Sequence, residues 1–328
     1  MADPHLTPVI RLAPAKLNLS LAVVGRREDG FHDLHSVFVP LALADRLSLA
    51  PARANAREDS LHVTGFDAGP VADNLVLRAI AVARAAVGEG PARAATPALA
   101  ARLEKLIPVA AGLGGGSSDA AAAFDAALEA WGAELDPERR ADAAASIGSD
   151  VPFFLRGTPA LVEGRGERLT PLKGVHGHPG ILLVTPRVAV RTPDVFAVFD
   201  AIRGKGDGSI RMSSEHLAQE LGNGLSATDL IARAGVLASA NDLLPAALLV
   251  APGLVGVKRA LTRTLTKAVG MSGSGPTLWT LYPSLAEAQA ASEVVQAAVI
   301  AGTIPSIGDR PPSIIATTIH TGHEVPTP

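Results

Sequence analysis

The chain has 328 residues, which at roughly 150 residues per domain is about two domains' worth and enough to enclose a cleft between two cores. Its 29 basic and 32 acidic residues leave a formal charge of -3, so there is no general electrostatic case for nucleic acid. The absence of cysteine excludes disulfides, thiolate nucleophiles, iron–sulfur clusters and Cys-ligated zinc, and a reducing, cytoplasmic setting is expected.

Taken in chain order, residues 10–24 alternate Leu17, Leu19, Leu21 and Val23 with Lys16, Asn18, Ser20 and Ala22, the period of a strand with one buried face. Lys16 and Asn18 therefore point the same way. A turn at Gly30, open to positive φ, leads into a second, mostly apolar strand over 34–49, so the opening of the chain is expected to be antiparallel β. Residues 75–87 read as an Ala-rich helix capped by Asp73 or Asn74, whereas 99–107 fits helix or strand. A helix is expected over 118–131, with Phe124, Leu128 and Trp131 on one face and Ser118 or Asp119 as its cap. Another runs over 139–147, closed by Gly148 and followed by the apolar run 151–155. Past a Gly-, Lys- and His-rich stretch, with a boundary expected near 168, strand-like segments at 180–185 and 277–281 alternate with helical ones near 195–202 and 285–301. That pattern predicts an α+β half whose sheet is covered on one face. The longest stretch without a charge or histidine, 268–286, carries three glycines and two prolines and is not expected to span a bilayer. Residues 1–5 open no secretory leader pattern.

The chemistry concentrates in Pro108-Val109-Ala110-Ala111-Gly112-Leu113-Gly114-Gly115-Gly116-Ser117-Ser118-Asp119, directly ahead of the 118–131 helix. Glycines let backbone approach an anion, and the amides and partial positive charge of a helix start favour phosphate. It is not a Walker loop, since no Lys-Ser/Thr pair follows the last glycine, and Ser117 breaks the dinucleotide pattern. A bare glycine-rich connector is the competing reading. The cluster Met271-Ser272-Gly273-Ser274-Gly275-Pro276 supplies either a second phosphate contact or an ordinary tight turn. Lys16 alone reads as the exposed face of a sheet, and Asp150 alone as a turn or cap. Beside a phosphate loop they are the cation and carboxylate that phosphoryl transfer requires. His32 is a donor or acceptor at neutral pH, and no metal-ligand spacing is present.

Four segments together resemble the GHMP kinases, in order, from about residue 13 to 282. They are Pro14-Ala15-Lys16-Leu17-Asn18-Leu19 with the turn through Asp29-Gly30-Phe31-His32, the glycine loop, Gly148-Ser149-Asp150-Val151-Pro152-Phe153-Phe154, and Met271-Ser272-Gly273-Ser274-Gly275. The opening phrase through His32 resembles the branch of that family whose acceptor is 4-diphosphocytidyl-2-C-methyl-D-erythritol, in non-mevalonate isoprenoid biosynthesis. The resemblance implies a two-domain α+β fold, with an N-terminal ATP-binding domain like the second domain of ribosomal protein S5 over 1–168. A ferredoxin-like substrate domain would follow over 169–328. It implies Lys16 and Asp150 as the catalytic pair. Pro108 through Ser118 would be the triphosphate loop, with Lys105 near the adenosine. Asn18, Phe31, His32, Thr192, Phe196, Gly273 and Ser274 would form the acceptor site, an aromatic stacking the cytosine and His32 reading its polar edge. ATP with magnesium carried on it and the cytidine-bearing acceptor are the implied small-molecule partners. No nucleic-acid or membrane partner is expected, and a monomer or homodimer fits.

Phe31 stands where the family more often has tyrosine, and Leu243 where it more often has glutamate. Two alternatives remain open on the sequence. One is another GHMP kinase acting on homoserine, mevalonate or a sugar; the other is a nucleotide-binding protein without catalysis.

Overall fold

The structure is a computed structural model that describes residues 8–53, 55–88, 96–202, 206, 208–308 and 310–320. Two long antiparallel strands, β1 (Val9–Arg26) and β2 (His32–Pro51), run through the middle of the fold, joined by a turn in which Gly30 takes φ 83°. β1 pairs along β2. The opposite edge of β2 carries β4 (Leu99–Lys105) against its far end and β5 (Ala160–Gly164) against its near end. β3 (Ser60–Gly65) lies parallel to β4, and β6 (Arg168–Pro171) closes the other edge. The ambiguous 99–107 segment is thus a strand, with Leu99, Ala101, Leu103 and Lys105 all buried. Its period of two puts Lys105 on the core side, where an ammonium needs partners.

Helix α1 (Leu75–Val87) buries Val76, Ala79, Ile80 and Ala83, and the Asn74 Oδ1 accepts from the Val76 amide at 3.0 Å. Helix α2 (Gly115–Trp131) starts earlier than expected. Gly114 sits at its N-cap with φ 71°, so neither Ser118 nor Asp119 caps it and Gly115, Gly116 and Ser117 form its first turn. Its buried alanines leave room for α1 to approach while Phe124 fills the core. Helix α3 (Pro137–Ile147) begins two residues before the expected start and is capped by Asp136, and the apolar run after Asp150 is the short helix α4 (Val151–Arg156).

A second sheet runs β10 (Gly270–Met271), β11 (Leu278–Tyr282), β8 (Gly180–Thr185), β12 (Ser313–Thr318). It is covered on both faces, not one. Leu182, Val184 and Leu278 pack on α5 (Thr192–Ile202), α9 (Leu244–Val250), α10 (Gly253–Leu265) and α11 (Leu285–Ile300). Their neighbours Ile181, Leu183, Trp279 and Leu281 join Leu17, Leu19, Val37 and Val39 of β1 and β2. Helix α6 (Ser209–Asn223) completes that shared cluster with α7 (Ala227–Ala232) and α8 (Ala234–Leu237). At about 1.5–3 kcal/mol per fully buried aliphatic side chain, this seam is a core between the halves. A short pair, β7 (Val175–His176) with β9 (Leu225–Ser226), lies beyond β6, the strand on which the expected boundary at 168 falls. No helix among the described residues is long and apolar enough to cross a membrane.

Candidate active site

A cleft of about 430 Å³ opens where β1, the glycine loop, Asp150, α5 and the 271–275 turn converge. Of the residues expected from sequence, Lys16, Asn18, Lys105, Pro108 to Gly112, Gly114 to Ser117, Asp150, Thr192, Phe196, Gly273 and Ser274 line it. Leu113, Ser118, Phe31 and His32 do not. Leu113 and Ser118 are buried beneath the loop.

The loop is shaped by particular glycines. Gly112 takes φ 74°, and a Cβ there would overlap the Ser272 carbonyl oxygen. Gly114 takes φ 71°, and a Cβ would come within 2.7 Å of the Phe154 ring and 3.0 Å of the Lys16 stem. Gly116 faces open space, its nearest neighbour Leu75 at 3.7 Å. The first-turn amides of α2 have no carbonyl one turn earlier to bond, so they face the cleft as donors.

Lys16 is 5% exposed, which sets aside its reading as an exposed sheet residue. The alternation of β1 puts Lys16 and Asn18 on one face, and the lysine donates to Asn18 Oδ1 at 2.6 Å over the Phe38 ring, 4.5 Å away. Its backbone amide donates to the Leu113 carbonyl at 2.9 Å, tying strand to loop. Burial pushes the Lys16 pKa down, and the negative charge of Asp150 pushes it back up. Asp150 occupies the N-cap position of α4 but makes no capping bond, leaving its carboxylate to the cleft.

Lys105 is engaged from two sides. It donates to Asp45 and, at 2.6 Å, to Asp119 Oδ2, all three side chains being buried. Asp45 also accepts from the Ile107 amide at 2.8 Å, so this cluster holds the bend from β4 into the loop. Burial raises the Asp119 carboxyl to about 7; Lys105 acts against that shift and Asp45 with it. Its Oδ1 and the Ser118 hydroxyl are buried without a hydrogen-bond partner. Asp45 and Asp119 were missed in the sequence. The signal for Asp119 was its place after the loop serines; a strand aspartate 60 residues before Lys105 offered none.

The second glycine turn braces the first. Ser272 Oγ donates to the Gly112 carbonyl at 2.9 Å, and Asn241 Nδ2 donates to the Met271 and Gly273 carbonyls at 3.0 and 2.9 Å. Ser274 and Thr192 hydroxyls meet at 2.8 Å, joining the turn to α5. Of the two aromatics implied for the acceptor site, Phe196 lines the cleft and Phe31 does not. Phe31 is half exposed beneath the Arg165 guanidinium, 4.1 Å from its ring centre, because the β1–β2 turn carries it outward. His32 stacks on Phe196 at 4.6 Å, its Nε2 2.7 Å from Asp200 Oδ1. Leu243 lines the cleft and packs in the second core.

Residues 74–158 match the GHMP kinases N terminal domain. A 4-diphosphocytidyl-2-C-methyl-D-erythritol kinase from Pelotomaculum thermopropionicum is 38% identical over 281 residues, 86% of this chain and 91% of that protein. One from Rhodococcus jostii is 39% identical over 290 residues, 88% of this chain and 87% of that one. The chain belongs to the 4-diphosphocytidyl-2-C-methyl-D-erythritol kinases. A crystal structure of 4-(cytidine 5'-diphospho)-2C-methyl-D-erythritol kinase superposes with a TM-score of 0.68 at 32% identity, covering 95% of this chain and 99% of that one. This places the two-domain α+β architecture of GHMP kinases on the fold described above. A homoserine kinase from Cytophaga hutchinsonii, with a TM-score of 0.63 at 18% identity over 97% of this chain and 96% of its own, shares that fold alone.

Proposed function

We propose that the protein transfers the γ-phosphoryl group of ATP to the 2-hydroxyl of 4-diphosphocytidyl-2-C-methyl-D-erythritol. The observation that carries this reading is one cleft lined by a glycine loop at a helix start, a buried lysine and an uncommitted carboxylate, in a chain of this family. The loop amides and the α2 terminus hold the phosphates in line. Asp150 orients the tertiary hydroxyl and accepts its proton as the new oxygen–phosphorus bond forms and the bond to ADP breaks. Lys16 keeps Asp150 ionised and offsets charge on the group in flight. Magnesium would arrive on the nucleotide; Asp119, which lines the cleft beside the loop and whose Oδ1 has no hydrogen-bond partner, is an oxygen donor of the kind that ion takes. Asn18, Thr192, Phe196, Gly273 and Ser274 form the acceptor side, with His32 stacked behind Phe196. Lys105 acts near the adenosine while bracing the loop.

Residues 1–168 are assigned as the ATP-binding domain, which also lends Asn18 to the acceptor, and 169–328 as the substrate-binding domain, in the cytoplasm. The test is an ATP-dependent assay with the cytidine-bearing acceptor set against homoserine, mevalonate and sugars. Selective turnover of the first supports the reading, and equal or better turnover of another overturns it.

A further inference from the structure

The Lys16–Asn18 contact continues into the protein as a chain of polar groups whose proton directions are forced. Asn18, Ser36 and Ser20 are at most 3% exposed. At the far end is the backbone carbonyl of Ser20, where the register of β1 on β2 shifts between Asn18 and Ser20. A carbonyl only accepts, so the Ser36 hydroxyl, bonded to it, commits its one hydrogen there. What Ser36 then offers to Asn18 is a lone pair. The Asn18 side chain, 3.0 Å away, must present its NH₂ to Ser36 and turn Oδ1 to the other side. There it meets the Lys16 ammonium, a group that only donates, at 2.6 Å. The remaining neighbour, Ser272, lies 3.4 Å from Asn18 Oδ1 but 2.9 Å from the Gly112 carbonyl, where its hydrogen is better used.

We propose that Ser36, which does not line the cleft, is a positioning residue for phosphoryl transfer. By fixing which way the Asn18 amide faces, it keeps an acceptor on Lys16 and holds that ammonium charged and aimed at the reacting group. The proposal rests on the role given to Lys16 above. Without the Ser36 hydroxyl the buried Asn18 NH₂ loses its acceptor, and the Lys16 ammonium alone is left to hold the amide in that orientation.

The test compares wild type, Ser36→Ala, Ser36→Thr and Lys16→Met, using ATP and the cytidine-bearing acceptor, with melting temperature measured on each. For Ser36→Ala, kcat is expected to fall about 10-fold or more, the size of a lost bond to a charged group, while the KM for ATP stays within about twofold. The alkaline limb of its kcat–pH profile is expected to move to lower pH, because Asp150 is left as the support for the Lys16 charge. Ser36→Thr, which keeps the hydroxyl, restores both. A second pair reads the same point without relying on the single variant: in an Asn18→Asp background a carboxylate accepts at either oxygen, so adding Ser36→Ala leaves kcat within about twofold. Unchanged kcat and pH limb in Ser36→Ala, or a loss that follows melting temperature with no shift of that limb, overturns the proposal. Full activity of Lys16→Met overturns instead the reading on which it stands.

Discussion

Asp150 and Lys16 enter the cleft for different reasons. One is the residue ahead of a short helix that leaves its carboxylate uncommitted, and the other a strand lysine roofed by the loop. Asp150→Asn keeps volume and removes charge, and turnover is expected to fall by about 10² to 10⁴ with ATP binding nearly intact, as rapid-quench kinetics beside nucleotide titration will show. Asp119 carries a pH signature. Its folded pKa, raised to about 7 from an ordinary 3.8, means the folded state holds a proton the unfolded chain has released. That contribution to stability is complete below pH about 4 and is lost as pH rises through about 7. Denaturant midpoints between pH 5 and 8 are expected to fall with pH in the wild type and to fall less steeply in Asp119→Asn. The alternation of β1 made the shared direction of Lys16 and Asn18 legible in the sequence. Their burial was not, because the roof comes from residues about 100 and 250 positions away, and Asp45 and Ser36, both on β2, stand beside other polar residues of that strand with nothing local to mark them out.

At the level of elements, two glycines of the same loop act differently on the cleft. Gly115→Val would press on Ile107 and the Lys105 ammonium, 3.1 and 3.2 Å from the new Cβ, and is expected to raise the KM for ATP while sparing the acceptor. Gly112→Ala combines a positive φ, costing about 1–2 kcal/mol, with overlap on the Ser272 carbonyl. It is expected to lower the melting temperature and weaken both substrates. The aromatic elements also separate. Phe196→Ala is expected to raise the acceptor KM about 5-fold to 150-fold, from roughly 1–3 kcal/mol of lost stacking, and Phe31→Ala to change it little. An equal effect of the two would return Phe31 to the base. Helix α1 was legible to within a residue of its cap, Asn74 being one of the two caps the sequence offered. The start of α2 was not, because a left-handed glycine cap competes with serine and leaves no side-chain mark in the sequence.

On the scale of the whole molecule, the two halves were legible as α+β, but their mutual dependence was not. Alternating residues of β8 and β11 serve two cores at once, a property that only long-range pairing creates. The brace from Ser272 to the Gly112 carbonyl, across 160 residues of sequence, carries a thermodynamic consequence. Any opening of the 271–275 turn removes a bond from the phosphate loop, so a nucleotide that favours the closed loop must also disfavour that opening, whichever half it touches. Amide hydrogen exchange reads this directly. ATP alone, with no acceptor present, is expected to slow exchange at Ser272 and Gly275, whose amides bond within the turn, and Ser272→Ala is expected to abolish that protection while leaving that of α1 in place.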